Sequence, residues 1–225
     1  MQHKLPAFEK GQFGFVDVPF SLMAAGNIDN EICDDLVNFY ETDTYFIKSD
    51  GEAAGKVDKK IKNSQDISVP INCTHPAVRG YLEALDFCAY KYAKMFPPIA
   101  QADFRVTKFF NIQKYPKGGG YFEWHAERLS NELDVVSRVL VFMTYLNDVT
   151  DKGETEFFMQ NLSVEPKKGL TLIWPSEWSH THRGVPSPSQ EKIIVTGWFE
   201  LKIQKGARNK WLLEILEKEN LNKKD

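Results

Sequence analysis

The chain has 225 residues, 42% hydrophobic and 26% charged, the balance of a soluble globular protein long enough to bury a sizeable core. Lys and Arg total 28 against 31 Asp and Glu, a net charge of -3, so the sequence carries no overall basic footprint for nucleic acid. It has no apolar run of the roughly 18 residues a membrane span needs. The segment Met1-Gln2-His3-Lys4-Leu5-Pro6 lacks the apolar core of a secretory signal, and Cys33, Cys73 and Cys88 have no metal-type spacing. These features predict free thiols in a reducing, cytoplasmic setting.

In chain order, residues 1–102 read as a helical support region. The first helix has Asn30 as N-cap and Ile32, Cys33, Leu36, Val37 and Tyr40 on one face. The second is capped by Thr74, with Pro76 in its first turn, and carries the apolar stripe Val78, Tyr81, Leu82, Leu85, Ala89, Tyr92 and Phe96 before Pro97-Pro98 ends it. Between them, residues 48–66 are polar and lysine-rich and read as a loop or flap. From residue 103 the pattern turns to short runs rich in β-branched and aromatic residues: Arg105–Tyr115, Tyr121–Glu127, Ser137–Leu146, Glu154–Phe158, Leu162–Val164, Leu170–Trp174 and Lys192–Ile203. Turn residues cut them, including Gly118-Gly119-Gly120, which lacks the Lys-Ser/Thr of a phosphate loop. The spacing predicts an all-β sandwich or jelly roll over 103–203. Trp211, Leu212, Ile215 and Leu216 predict a C-terminal helix and tail over 204–225. The whole reads as a single domain, 1–225.

Of five histidines, His3 and His75 read as surface or structural, and His125, His180 and His182 fall in the β half. His125 and Glu127 are two apart, so on a strand both side chains point to one side. His180 or His182 can supply a third ligand. Two imidazoles and one carboxylate leave open positions on a metal, the ligand set of non-haem Fe(II) oxygenases. Ten residues after His182, Lys192 shares strand parity with Ile194, Thr196 and Trp198; an ammonium on an otherwise apolar face is suited to grip the far carboxylate of an organic acid.

With these stretches, together with Arg138…Thr144-Tyr145-Leu146-Asn147, Gly153-Glu154-Thr155-Glu156-Phe157 and Val164-Glu165-Pro166-Lys167-Lys168-Gly169, the sequence resembles the 2-oxoglutarate- and Fe(II)-dependent dioxygenases of the prolyl 4-hydroxylase-like group over about residues 103–203. The resemblance implies a double-stranded β-helix, a jelly roll with supporting helices, in a mainly β chain with helices (α+β). It implies His125, Glu127 and His182 as iron ligands, His182 being chosen over His180 by the gap to Lys192. Lys192 would pair with the distal carboxylate of 2-oxoglutarate and Tyr115 would lie beside that cosubstrate. Tyr145 and Thr196 are candidates for hydrogen bonds to the same carboxylate. Trp198 is expected at the pocket floor, and His180 and Arg183 next to the substrate or behind the ligands. Two positions depart from the family pattern: Glu127 stands where Asp is usual, and Phe122, three residues before His125, where a tyrosine is usual.

The implied activity is hydroxylation of a C–H bond, with a prolyl residue of a peptide as the leading substrate. The implied cofactors are Fe(II), 2-oxoglutarate and O2, with ascorbate supporting turnover. The alternatives are a related dioxygenase acting on a small metabolite or nucleobase, and a metal-binding jelly roll without turnover. A zinc hydrolase is disfavoured, since no pair of histidines sits at one-turn helical spacing. The expected protein is a monomer or homodimer that binds neither nucleic acid nor membrane.

Overall fold

The computed structural model describes residues 2–201. Strands β1 (His3–Lys4), β2 (Phe13–Phe15) and β3 (Ala24–Asn27) lead into helix α1 (Asn30–Thr42). Then come β4 (Ser49–Asp50), β5 (Glu52–Ala53), β6 (Lys56–Val57), β7 (Gln65–Pro70) and helix α2 (Pro76–Met95), closed by a 3-10 turn at Pro97–Gln101. The rest is β8 (Phe104–Arg105), β9 (Phe109–Tyr115), β10 (Tyr121–His125), the short α3 (Leu133–Val136), β11 (Arg138–Tyr145), β12 (Thr155–Phe157), β13 (Leu162–Val164), β14 (Leu170–Pro175), a 3-10 turn at Trp178–His180, β15 (His182–Gly184) and β16 (Lys192–Leu201).

Apart from the separate β5–β6 hairpin, these strands form two facing sheets. The larger runs β2-β3-β14-β11-β16-β9-β7-β4, with β8 also pairing β16; the smaller runs β1-β13-β12-β15-β10. Alternation along each strand builds two cores from one sheet. Phe110, Ile112, Phe142, Ile173, Val195 and Phe199 point outward, onto the apolar faces of α1 and α2. Val141, Met143, Leu172, Trp174 and Ile194 point inward, against Phe157, Leu162 and Val164 of the small sheet. This is the jelly roll with supporting helices that the sequence predicts.

Several boundaries differ from the sequence reading. The N-cap of α1 is Asp29, not Asn30: its carboxylate accepts the N–H of Glu31. The N-cap of α2 is His75, not Thr74, because Pro76 occupies the first helical turn; His75 Nδ1 accepts the N–H of Ala77 at 3.2 Å. The region read as helical also holds β1 to β7, and the polar stretch 48–66 is not an open loop but β4, the β5–β6 hairpin and the start of β7. Strand β7 escapes a hydrophobic-pattern search because Ile67 and Val69 face the helices while Asp66 and Ser68 face the cavity between the sheets. The predicted helix at 204–225 lies outside the described residues. Among those described, no helix is long and apolar enough to cross a membrane.

Candidate active site

His125 ends β10 and His182 opens β15, and the two are paired directly across the antiparallel ladder, ring centroids 4.3 Å apart. Each ring is oriented from behind. His125 Nδ1 lies 3.0 Å from the carbonyl of Glu123, and His182 Nδ1 lies 2.9 Å from that of His180. A carbonyl only accepts, so both Nδ1 atoms carry the proton and both Nε2 atoms keep a lone pair for a metal. Tyr121 stacks on His125 at 3.6 Å; Phe157 and Trp174 wall in His182.

Glu127 lies two residues past the end of β10, in a bend rather than in the strand. Its Oε1 is 3.5 Å from His125 Nε2 and 3.6 Å from His182 Nε2, and one ligand atom from each of the three residues lies within 4.8 Å of the others. Burial pushes the carboxyl up, but the neighbouring His125 and His182 and the Arg138 guanidinium outweigh it and bring it down to about 2. Burial and the neighbouring His125 hold His182 at about 3, which keeps the ring neutral. Two imidazoles and an ionised carboxylate converging on one point are a donor set that fits Fe(II).

The triad lines a cavity of about 580 Å³ between the sheets, and so do Lys192, Ile194, Thr196 and Trp198, four alternate positions on one face of β16. Lys192 is buried, 3% exposed, and its ammonium donates to the carbonyls of Gly153 at 2.7 Å and Val185 at 3.2 Å. Burial lowers its pKa to about 8 against the pull of Glu154. Tyr115, its partner in the β9–β16 register, presents its ring 5.3 Å from the Lys192 nitrogen and donates its hydroxyl to Gln113 at 2.8 Å. Thr196 lines the cavity with its hydroxyl 3.3 Å from the carbonyl of Phe142.

The other sequence-predicted residues lie as follows. Tyr145 is buried in the inner core and donates to Thr155 at 2.6 Å, so it is Thr155 that reaches the cavity lining. His180, also buried, sits on the 3-10 turn outside the three-residue metal cluster; its Nδ1 meets the Ser179 hydroxyl at 3.1 Å, and burial holds it at about 4. Arg183 pairs with Glu156 at 2.9 Å and lies over the Trp124 ring at the cavity wall. The cavity lining includes Tyr121 rather than Phe122. Trp198 does more than pack: its indole N–H donates to Glu127 Oε2 at 2.9 Å.

Three features escaped the sequence reading. Arg138 donates to the carbonyl of Glu127 at 3.1 Å and stacks its guanidinium 3.6 Å above the Trp198 ring; the signal was a charged residue opening the otherwise apolar run Val139–Leu146. A buried pair, Lys62 and Asp66 at 2.6 Å, joins Tyr115 through Gln113. The β5–β6 hairpin contributes Glu52, Ala53, Ala54 and Gly55 to the cavity rim, turning through Ala54 and Gly55 at φ 49° and 71°.

Comparison with known proteins agrees with this architecture. The family model of the 2OG-Fe(II) oxygenase superfamily matches residues 110–200, the stretch holding all three cluster residues and Lys192. No curated protein sequence matches the chain. Among solved structures, the viral collagen prolyl hydroxylase of Paramecium Bursaria Chlorella virus-1, in complex with 2OG, is similar with a TM-score of 0.60 at 17% identity, covering 83% of this chain and 99% of that one. A Pseudomonas putida prolyl-4-hydroxylase gives 0.62 at 17% identity, covering 82% and 95%. A Trichoplax adhaerens prolyl hydroxylase, bound to a hypoxia inducible factor peptide fragment, gives 0.65 at 14% identity, covering 81% and 85%. At these identities the structural likeness speaks for the fold. The family match and the convergent triad point the same way: over residues 110–200 the β core is similar to the 2OG-Fe(II) oxygenase superfamily.

Proposed function

We propose that the protein hydroxylates a prolyl residue of a peptide or protein, with His125, Glu127 and His182 holding Fe(II) and Lys192 holding 2-oxoglutarate. The observation that carries the reading is a single cavity with the triad in one wall and a buried ammonium in another. Bound Fe(II), 2-oxoglutarate and O2 supply the oxidising chemistry, in which one oxygen atom enters a substrate C–H bond and the other goes into succinate as CO2 is lost.

The chain's own residues prepare and confine that chemistry. The carbonyls behind His125 and His182 fix which nitrogen faces the ion. Lys192 has three donors and spends two on Gly153 and Val185, which leaves one for the distal carboxylate in surroundings where a charge-assisted bond is strong. Tyr115, whose hydroxyl donates to Gln113, and Thr196, at the next inward position but one on β16, are the residues that would offer further hydroxyls to the cosubstrate. Phe157 and Trp174 keep water from the back of His182. Arg183 and the β5–β6 hairpin also line the cavity, and in this reading the peptide substrate would lie against them. A prolyl substrate is favoured because the fold is shared with prolyl hydroxylases, one of them solved with a peptide. Ascorbate keeps the iron reduced between turnovers. The three free thiols suit the cytoplasm.

The test is a screen of proline-containing peptides with Fe(II), 2-oxoglutarate and ascorbate, read by succinate release and by a mass gain of one oxygen atom. Hydroxyproline formation that disappears in His182→Ala supports the reading. Succinate release coupled to a non-peptide substrate, with every prolyl peptide unmodified, overturns the prolyl assignment.

A further inference from the structure

We propose that Trp198, backed by Arg138, is a positioning residue that confines Glu127 to binding the metal through one oxygen. The inference rests on the oxygenase reading above. A carboxylate can ligate through one oxygen or two, and on a six-position ion the second oxygen would fill a place that cosubstrate or O2 needs. A glutamate has one more rotatable bond than the aspartate usual in the family, so it swings more easily into the two-oxygen mode. Glu127 also lies beyond the end of β10, where no ladder fixes its backbone.

The structure supplies the missing restraint from two neighbouring strands. Oε1 faces both imidazole Nε2 atoms, while Oε2 accepts the indole N–H of Trp198 at 2.9 Å. Arg138 ties the Glu127 carbonyl at 3.1 Å, stands 3.5 Å from Oε2 and stacks 3.6 Å from the Trp198 ring centre, pinning the indole in place. A register shift in the β11–β16 ladder between Arg138 and Leu140 marks a bulge that aims Arg138 at the site. Indole and guanidinium are donors only. They occupy Oε2 without competing for the ion, whereas a side chain with a lone pair would become a ligand itself.

The test compares wild type with Trp198→Phe, which keeps a ring beneath Arg138 but has no N–H. Both proteins are loaded with Mn(II), and the number of fast-exchanging waters on the ion is measured by water-proton relaxation, alongside Mn(II) and 2-oxoglutarate affinities and a thermal melt. Trp198→Phe is expected to remain folded and bind Mn(II) at least as tightly. It should carry one water fewer than wild type and bind 2-oxoglutarate about tenfold more weakly, the scale of outer-shell effects at metal sites. Arg138→Met, which unpins the indole, should move both readouts the same way by less. An unchanged water count and unchanged 2-oxoglutarate affinity in folded Trp198→Phe would overturn the inference and leave the oxygenase reading standing. Wild type that fails to bind Mn(II) would overturn both.

Discussion

At the scale of single residues, the site is an arrangement of costs. Burying Lys192 removes an ammonium from water, and its low pKa measures that penalty. The sign of the pH dependence follows. Below about 8 the amine is protonated and can pair with a carboxylate; as pH rises through about 8 it loses the proton and the pair. The affinity for 2-oxoglutarate should therefore fall above that pH, and binding there should be accompanied by proton uptake, visible in calorimetry as a dependence of the heat on the buffer. Lys192→Arg, which does not titrate in this range, should flatten the profile. His180 and His182 are close in sequence and both buried, yet only His182 joins the metal cluster. His182→Ala should abolish metal binding in an Mn(II) titration. His180→Ala should leave metal affinity within a few-fold and cost roughly 1–3 kcal/mol of stability as a buried, hydrogen-bonded ring is lost. Sequence alone singled out His125, Glu127 and His182, the three side chains that converge in the structure, because residue type and spacing carry that chemistry. It did not reveal that Tyr145 is committed to Thr155, since which hydroxyl reaches a cavity depends on neighbours from distant strands.

At the scale of elements, legibility tracked how strongly a segment's pattern is set by the core. Strands β11, β14 and β16 are flanked by apolar residues on both faces and stand out from their sequences. Strand β7 and the β5–β6 hairpin do not, because their inward side chains serve the cavity and are polar. Likewise the bend that carries Glu127 looks like a strand in sequence. Strand parity therefore does not explain the convergence with His125; the ties to Arg138 and Trp198 do. Two substitutions test these element-level accounts by chemical denaturation. His75→Ala removes the cap of α2 and should cost about 1 kcal/mol, with His75→Asn recovering most of it. Gly197→Ala would place a methyl 2.4 Å from the Phe142 ring and should cost roughly 1–3 kcal/mol, with a weakened 2-oxoglutarate site because Trp198 and Thr196 flank the forced backbone.

At the scale of the whole molecule, the two sheets divide labour. The outer face of the large sheet is sealed by α1 and α2, and the space between the sheets holds a hydrophobic core at one end and the cavity at the other. Stability and ligand binding are then linked by mass action: a metal held at a hundred times its dissociation constant should add about 2.7 kcal/mol, and a chelator should remove it, as a thermal melt would show. The general architecture was readable from strand spacing and from a family resemblance, whereas the N-terminal strands β1 to β3 that widen the two sheets were not, being two to four residues long with little pattern to detect. The central claim joins one metal-binding cluster to one cosubstrate anchor. Anaerobic titration of the Fe(II)-loaded protein with 2-oxoglutarate tests it most directly, followed by the visible charge-transfer absorption that arises when the keto acid chelates ferrous iron. Wild type should develop the band to saturation, His182→Ala should not develop it, and Lys192→Ala should need at least tenfold more 2-oxoglutarate. A wild-type protein without the band, or one matched by both variants, would contradict the account.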